Sequence, residues 1–416
     1  MLNFVIGIYS FYTLLKIYLS IMQIGYINQE KKKEAVILPP GRYLVAGNYA
    51  VAKEKLSILE TFVDYLLFLW FIFFGFKWLQ NLFGTSGFFS SLLFIFGFFA
   101  INFIISLPFT IYSKFKIDKE FGFNKMTPKM FVIDTLKGIA LFLIFGGVVF
   151  LTLIWIIESF KSWWIWGFIL LFGVALLINL IYPTIIAPLF NKFTPLEDGE
   201  LKQSIEKMMK EVGLSSDGIF VMDASKRDTR LNAYFGGLGK SKRVVLFDTL
   251  LEKLTNKELL AVLGHELGHY SHKDVWKNIA MMGIFLFVAF YIFGHFPEEI
   301  FIQIGVVPTG GVILALIILL LPVLNFVYTP ILSFLSRHNE YEADKFGSKI
   351  GGRENLISAL LKLVKENKSF PKSDPIYSKF YYSHPPIIER LKALGFDVDK
   401  PLPKDGIFQF IKDEDR

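Results

Sequence analysis

The sequence predicts a mainly α-helical, polytopic membrane protein. It has seven transmembrane helices and a smaller water-facing domain of helices with a small β-sheet or hairpin, built from two segments. Three observations carry that prediction. Hydrophobic residues fill 53% of the 416 positions, Phe alone occurring 46 times, and mean hydropathy is +0.47, too apolar for an ordinary soluble chain. The apolar residues gather into seven runs, each near or above the roughly 20 residues that cross a bilayer. The formal net charge of +7 is spread over loops between those runs. That distribution argues against a nucleic-acid surface and for basic cytoplasmic loops. Cysteine is absent, so any metal must rest on His and carboxylate groups.

The first run, Phe4–Ile24, carries Lys16 but lacks a small-residue cleavage site. It is long for a signal-peptide core, so it reads as a first span. Further runs follow at Phe62–Leu82, Phe88–Tyr112, Gly138–Ile157, Trp163–Ile186, Val275–Phe293 and Gly311–Leu332. Lys31, Lys32, Lys33, Arg42, Lys53 and Lys55 separate the first two. Lys114, Lys116, Lys119, Lys125, Lys129 and Lys137 separate the third and fourth. The alternate loops are nearly free of basic residues. The positive-inside rule then places the N-terminus outside and the C-terminus in the cytoplasm. The expected units are residues 1–190 (spans one to five), 191–274 (cytoplasmic), 275–335 (spans six and seven) and 336–416 (cytoplasmic). The two soluble segments lie on one side and can meet there.

Within the first soluble segment, Leu201–Val212 has the pattern of an amphipathic helix. Ile219–Met222 and Arg243–Phe247 are short β-prone runs, with Asn232 to Gly237 between them. An exposed strand edge here would be a docking site for an extended peptide, with Asn232, Ala233 and Tyr234 as the candidate contacts.

The chemistry concentrates in Gly264-His265-Glu266-Leu267-Gly268-His269. On a helix, His265 and His269 lie one turn apart on one face and can share one metal ion. Zinc accepts such a pair and leaves a position for water. Glu266, beside that face, is the expected general base for a water attacking a carbonyl. From composition, about 0.008 such motifs are expected by chance. The third ligand is expected to be Glu340, with Asp344 one turn later orienting a ligand histidine. Glu342 points elsewhere by helical phase, and His338 and His272 are weaker rivals. His384, ahead of Pro385 and Pro386, and Arg390 are candidates to stabilise the oxyanion of a hydrolysed amide. His295 falls in an outer loop and reads as structural.

Taken in order, several motifs resemble the type I CAAX prenyl proteases, integral-membrane zinc metalloproteases. They include Asp118-Lys119-Glu120-Phe121-Gly122-Phe123-Asn124-Lys125, Ile181 to Asn191, Ser225-Lys226-Arg227, Asn232-Ala233-Tyr234-Phe235, Arg243 to Leu251, the His-Glu-x-x-His motif, Glu340 to Asp344, and Ser383-His384-Pro385-Pro386. The resemblance implies His265, His269 and Glu340 as zinc ligands, Glu266 as catalytic, and Asp344 behind the ligands. It implies His384 and Arg390 as contacts to substrate or transition state, and Asn232 in a strand that aligns the peptide. It further implies one zinc ion, a large chamber enclosed by the seven helices, and cleavage after a prenylated cysteine to release three residues. The expected partners are peptide or protein substrates and membrane lipid, not nucleic acid. The short loop before the seventh span and the end Lys412–Arg416, with no retrieval signal, point to a bacterial cytoplasmic membrane; in a eukaryote the endoplasmic reticulum membrane would be expected. Two other readings fit parts of the pattern: a membrane quality-control metalloprotease indifferent to lipid, and a transporter or receptor with structural zinc.

Overall fold

The computed structural model describes residues 1–214, 218–237 and 242–399. Seven helices are long and apolar enough to cross a membrane: α1 (Leu2–Glu30), α2 (Pro40–Phe83), α3 (Phe88–Asp118), α4 (Pro128–Ser159), α5 (Trp163–Leu189), α9 (Asp274–Gly294) and α11 (Gly310–Gly351). Between α5 and α9 lie β1 (Phe193–Pro195), α6 (Glu200–Glu211), β2 (Ile219–Met222), β3 (Ala233–Gly236), β4 (Arg243–Phe247), α7 (Asp248–Lys253) and α8 (Asn256–Ser271). The short α10 (Glu299–Ile304) precedes α11. After it come α12 (Arg353–Glu366), α13 (Pro375–Tyr381) and α14 (Ile387–Ala393).

Each expected span lies inside one of these helices, but two helices far outrun theirs. Pro40 starts α2 at a first-turn position, where a missing N–H costs nothing. Arg42, Lys53 and Lys55, expected in a loop, are therefore helical. The 42-residue α11 is about 63 Å long at 1.5 Å per residue, twice a hydrocarbon core of about 30 Å. The boundary expected at residue 335 falls inside this continuous helix. Apolar run length marks where a helix is greasy, not where it stops. Pro322 and Pro330 lie within α11 without ending it.

The spanning helices need lipid. Phe11, Phe74 and Phe334 are each about two-thirds exposed, and in α5 only 6% of the most apolar window is buried in the protein. At one end the helices close on an aromatic core in which Phe71, Phe76, Phe94 and Phe98 pack around α10 and the start of α11. The soluble part has its own core, formed by Ile205 and Met208 of α6, Val244 and Leu246 of β4, and Leu263 and Leu267 of α8.

The sheet has strand order β1-β2-β4-β3. β2 and β4 pair in parallel, so they are not a hairpin; β1 and β3 flank them antiparallel. β3 is an edge strand. β1 is three residues ending in Pro195, too short for any period to reveal. Two arginines join the soluble part to the spans. Arg227 grips Asp134 of α4 through Nε (2.9 Å) and Nη2 (3.2 Å). Arg230 binds Asp118 at the end of α3 and the Tyr49 hydroxyl. The loop after α3 bonds to the same segment, Lys125 N to Arg227 O and Thr229 N to Phe123 O.

α8 and α11 touch backbone to backbone. A Cβ on Gly268 would lie 2.8 Å from the Cα of Ala343, one on Gly347 would lie 2.7 Å from the amide N of His265, and one on Gly351 would lie 2.3 Å from the Cα of Ala261. Small residues at helical spacing permit this approach. Gly268→Ala should therefore force the helices apart, costing about 1–3 kcal/mol by overpacking and weakening metal binding. Thermal unfolding in detergent and metal content would show both; a variant with unchanged melting and full metal occupancy would contradict the close contact.

Candidate active site

α8 begins with a capping box. The Thr255 hydroxyl accepts from the Glu258 N–H while Glu258 accepts from the Thr255 N–H at 2.7 Å. Glu258 is itself locked by Ser358 (2.5 Å) and Lys362 (2.7 Å) of α12. Burial opposes the charged form of Glu258, yet these donors hold its carboxyl below the usual value. This end of α8 is thus fixed, and the helix buries His265 in the protein.

His265 and His269 face each other with Nε2 atoms 3.3 Å apart. Glu340, from the part of α11 that outruns the expected span, brings Oε1 to 3.2 Å from His269 Nε2 and Oε2 to 3.5 Å from His265 Nε2. The three ligand atoms lie within 4.8 Å of one another. Glu340 Oε2 is buried without a hydrogen-bond partner, a costly state that a cation would relieve. A tetrahedral metal with bonds near 2.0–2.1 Å needs ligand atoms about 3.3 Å apart; the two imidazole nitrogens meet that spacing, and each has one Glu340 oxygen at a similar distance.

Each imidazole has a carboxylate behind it. His269 Nδ1 donates to Asp274 Oδ2 at 2.9 Å, which leaves Nε2 for a metal. Asp274 is the first residue of α9, brought there by Lys273 in the left-handed region (φ 58°). Sequence reasoning missed Asp274; the signal was an acid five residues after the second histidine, across a break it could not see. His265 Nδ1 lies 2.8 Å from Asp344 Oδ1. Asp344 also accepts two hydrogen bonds from Arg390, at 2.7 and 2.6 Å.

Glu266 lines a cavity of about 760 Å³ together with His265, His384, Arg390, Asn232 and Ala233. Burial pushes its carboxyl above the ordinary value; His265 and His269 pull the other way, and Glu340 adds to the rise. The imidazole of His384 is largely exposed, with Nε2 3.2 Å from Glu340 Oε1 and Nδ1 2.9 Å from the Ser383 hydroxyl. Tyr377, Tyr381 and Tyr382, not singled out from sequence, add an aromatic wall.

Three expectations need amending or fall away. Arg390 was expected to face the reacting carbonyl, but two of its donor groups are spent on Asp344 and a third, Nη1, lies 3.4 Å from Glu340 Oε2. It acts first as a positioning group. Tyr234 was expected among the peptide contacts. Strand alternation puts its ring on the opposite face, with Met222, Ala224 and Val245, and the Phe247 N–H to Asn232 carbonyl bond fixes a ladder in which Tyr234's main chain faces Val245 of β4, so the open edge belongs to Ala233 and Phe235. The rival ligands are not recruited: His338 is exposed, and His272 caps α8 with its ring 5.9 Å from Phe346. Asn232 and Ala233 do border the cavity, at the start of the edge strand.

Family models match nearly the whole chain. Residues 31–192 fit the CAAX prenyl protease N-terminal region with five membrane helices, and residues 195–395 fit peptidase family M48. The chain is 34% identical to the CAAX prenyl protease 1 homolog of Arabidopsis thaliana, over 91% of this chain and 90% of that protein. It is 36% identical to CAAX prenyl protease 1 of Saccharomyces cerevisiae, over 72% of this chain and 71% of that protein. Among solved structures, Ste24p of S. mikatae aligns with TM-score 0.82 at 33% identity, covering 94% of this chain and 97% of that one. The buried His-His-Glu group, the cavity beside it and the seven helices thus belong to a multi-pass membrane metalloprotease, and the chain is a member of the CAAX prenyl protease 1 family of M48 peptidases.

Proposed function

We propose that this metalloprotease uses one zinc ion to cut a prenylated substrate after its modified cysteine, releasing the last three residues. The observation that carries the chemistry is the convergence of His265, His269 and Glu340 with Glu266 at the wall of one cavity. Two imidazoles and one carboxylate, with ligand atoms gathered within 4.8 Å, are a donor set suited to zinc with an open position. The substrate class follows from the relatives' names and from the extent of the match.

When bound, zinc supplies a Lewis acid that polarises the scissile carbonyl and makes a water acidic near neutral pH. The chain's own residues do the rest. The peptide lies as an extra strand against β3, its main chain paired to the free edge at Ala233 and Phe235, with the Asn232 main chain turned to β4. Glu266 takes the proton from the attacking water and passes it to the leaving nitrogen as the C–N bond breaks. His384 donates toward the carbonyl oxygen as negative charge develops there. Arg390 holds Asp344 and Glu340, and Asp344 and Asp274 fix the two imidazoles. The basic loops support a site on the cytoplasmic side, with the N-terminus outside; a bacterial cytoplasmic membrane is the setting we favour.

Glu266→Gln should keep full zinc content and lose at least about a thousandfold in kcat, since general-base catalysis is absent; substantial residual turnover would remove Glu266 from this role. Asp344→Asn, which keeps the shape, should weaken zinc about 10–100-fold in chelator competition. With wild type, a farnesylated CAAX-ended peptide should lose only its last three residues, as mass spectrometry would show, and chelation should stop the reaction until zinc is restored. Equal cutting of the unmodified peptide, or cutting at scattered bonds, would move the function to general membrane proteolysis.

A further inference from the structure

The lining of the active-site cavity continues beyond Glu266 along one face of α12, through Leu356, Leu360, Leu363 and Val364, to Asn367 and Lys368 just past its end. The spacing of these residues makes a continuous apolar wall with a cation at its far end. Lys368 is half-buried, and its backbone sits in the left-handed region, φ 47°. A non-glycine residue held there needs a reason. Part of the reason is Asn367, whose side chain accepts from the Leu231 N–H at 2.8 Å and donates to the Leu231 carbonyl at 3.1 Å. That clamp ties the turn to the segment that enters β3, the strand edge beside the metal ligands.

Among the described residues no carboxylate pairs with Lys368. Its Nζ lies 4.1 Å from the Phe123 ring centre, and the guanidinium of Arg230 sits over the same ring at the same distance. Arg230 is already balanced by Asp118 and Asp228. Burial, and then Arg42 and Arg230, hold the Lys368 amine below its ordinary value, against the opposite pull of Glu366 and Asp228. The other cations of the cavity are engaged. Lys53 donates to the Ser113 hydroxyl at 2.6 Å, and Arg390 is spent on Asp344. A partly desolvated cation without a counter-ion is poised for an anion brought by a ligand.

We propose that Lys368 binds the free C-terminal carboxylate of the substrate, with the apolar side chains of the departing residues laid along α12. This rests on the reading of the protein as a peptidase that trims a C-terminus. The recognised class is a peptide with an aliphatic C-terminal tripeptide and a free carboxylate.

The test uses full-length, zinc-loaded protein and two farnesylated peptides that differ only in a C-terminal carboxylate or carboxamide. Wild type should cut the carboxylate form about tenfold or more better in kcat/KM, a typical worth of a charge-assisted contact. Lys368→Met should abolish that preference, mainly by raising KM for the carboxylate form, while Lys368→Arg should keep it. Cutting of the carboxylate peptide after the farnesylated cysteine tests the prenyl-protease reading by itself; the ratio of the two peptides tests the subsite. A second measurement needs no turnover: Val-Ile-Met acid should bind wild type about tenfold more tightly than Val-Ile-Met amide, and Lys368→Met should bind both alike. Equal handling of acid and amide by wild type would overturn the proposal. So would an equal loss on both in a Lys368→Met protein that melts like wild type.

Discussion

The contact between α8 and α11 is the constraint on which the site depends. Two ligand atoms come from one helix and the third from the other, and all three must sit within a few ångströms. That is possible because Gly264 and Gly268 meet Ala343 and Gly347 with no side chain between the backbones. Helices normally pack with axes 8–10 Å apart, set by the side chains at the contact. Larger residues here would carry Glu340 away from His265 and His269 even if every ligand were present. The metal site is therefore a product of packing before it is a product of ligand chemistry.

The same helix makes catalysis a property of the membrane-embedded protein. α11 starts in the aromatic core that closes one end of the spanning helices and ends beyond the metal ligand. No linker lies between anchor and ligand, so a shift of the bundle is transmitted along one helix, whose hydrogen-bond ladder is interrupted at Pro322 and Pro330 without ending it. Arg227 and Arg230 add two charged ties from the sheet side, to Asp134 and Asp118. The soluble part is held from both sides of its cavity.

Around the ligands, charge is arranged in layers. Glu340 and Asp344 are buried carboxylates one helical turn apart, and Arg390 lies between them with hydrogen bonds to one and a close contact to the other. Like charges so close would repel strongly in a dry site. The guanidinium, and a metal in front of it, make the pair tolerable. Asp344 then has two tasks, holding Arg390 and standing behind His265. Such double use explains why removal of one group would disturb several others, since each buried charge is balanced only by its neighbours.

The amino-acid order by itself determined the helical membrane class, because seven apolar runs have no other stable home. Helical phase also pairs His265 with His269 and Glu340 with Asp344, each pair on its own helix; bringing the two pairs together took the packing of α8 on α11. Chain-distant relations were decided by tertiary structure. Asp274 reaches His269 only because Lys273 turns the chain between two helices. Tyr234 turns from the cavity because the strand's register sends alternate residues to opposite faces. Arg390 is drawn to Asp344 because α14 packs beside α11. Spacing within one helix fixes direction, whereas spacing between elements depends on how closely their surfaces fit, and here that fit is set by glycines whose partners lie some 80 residues away.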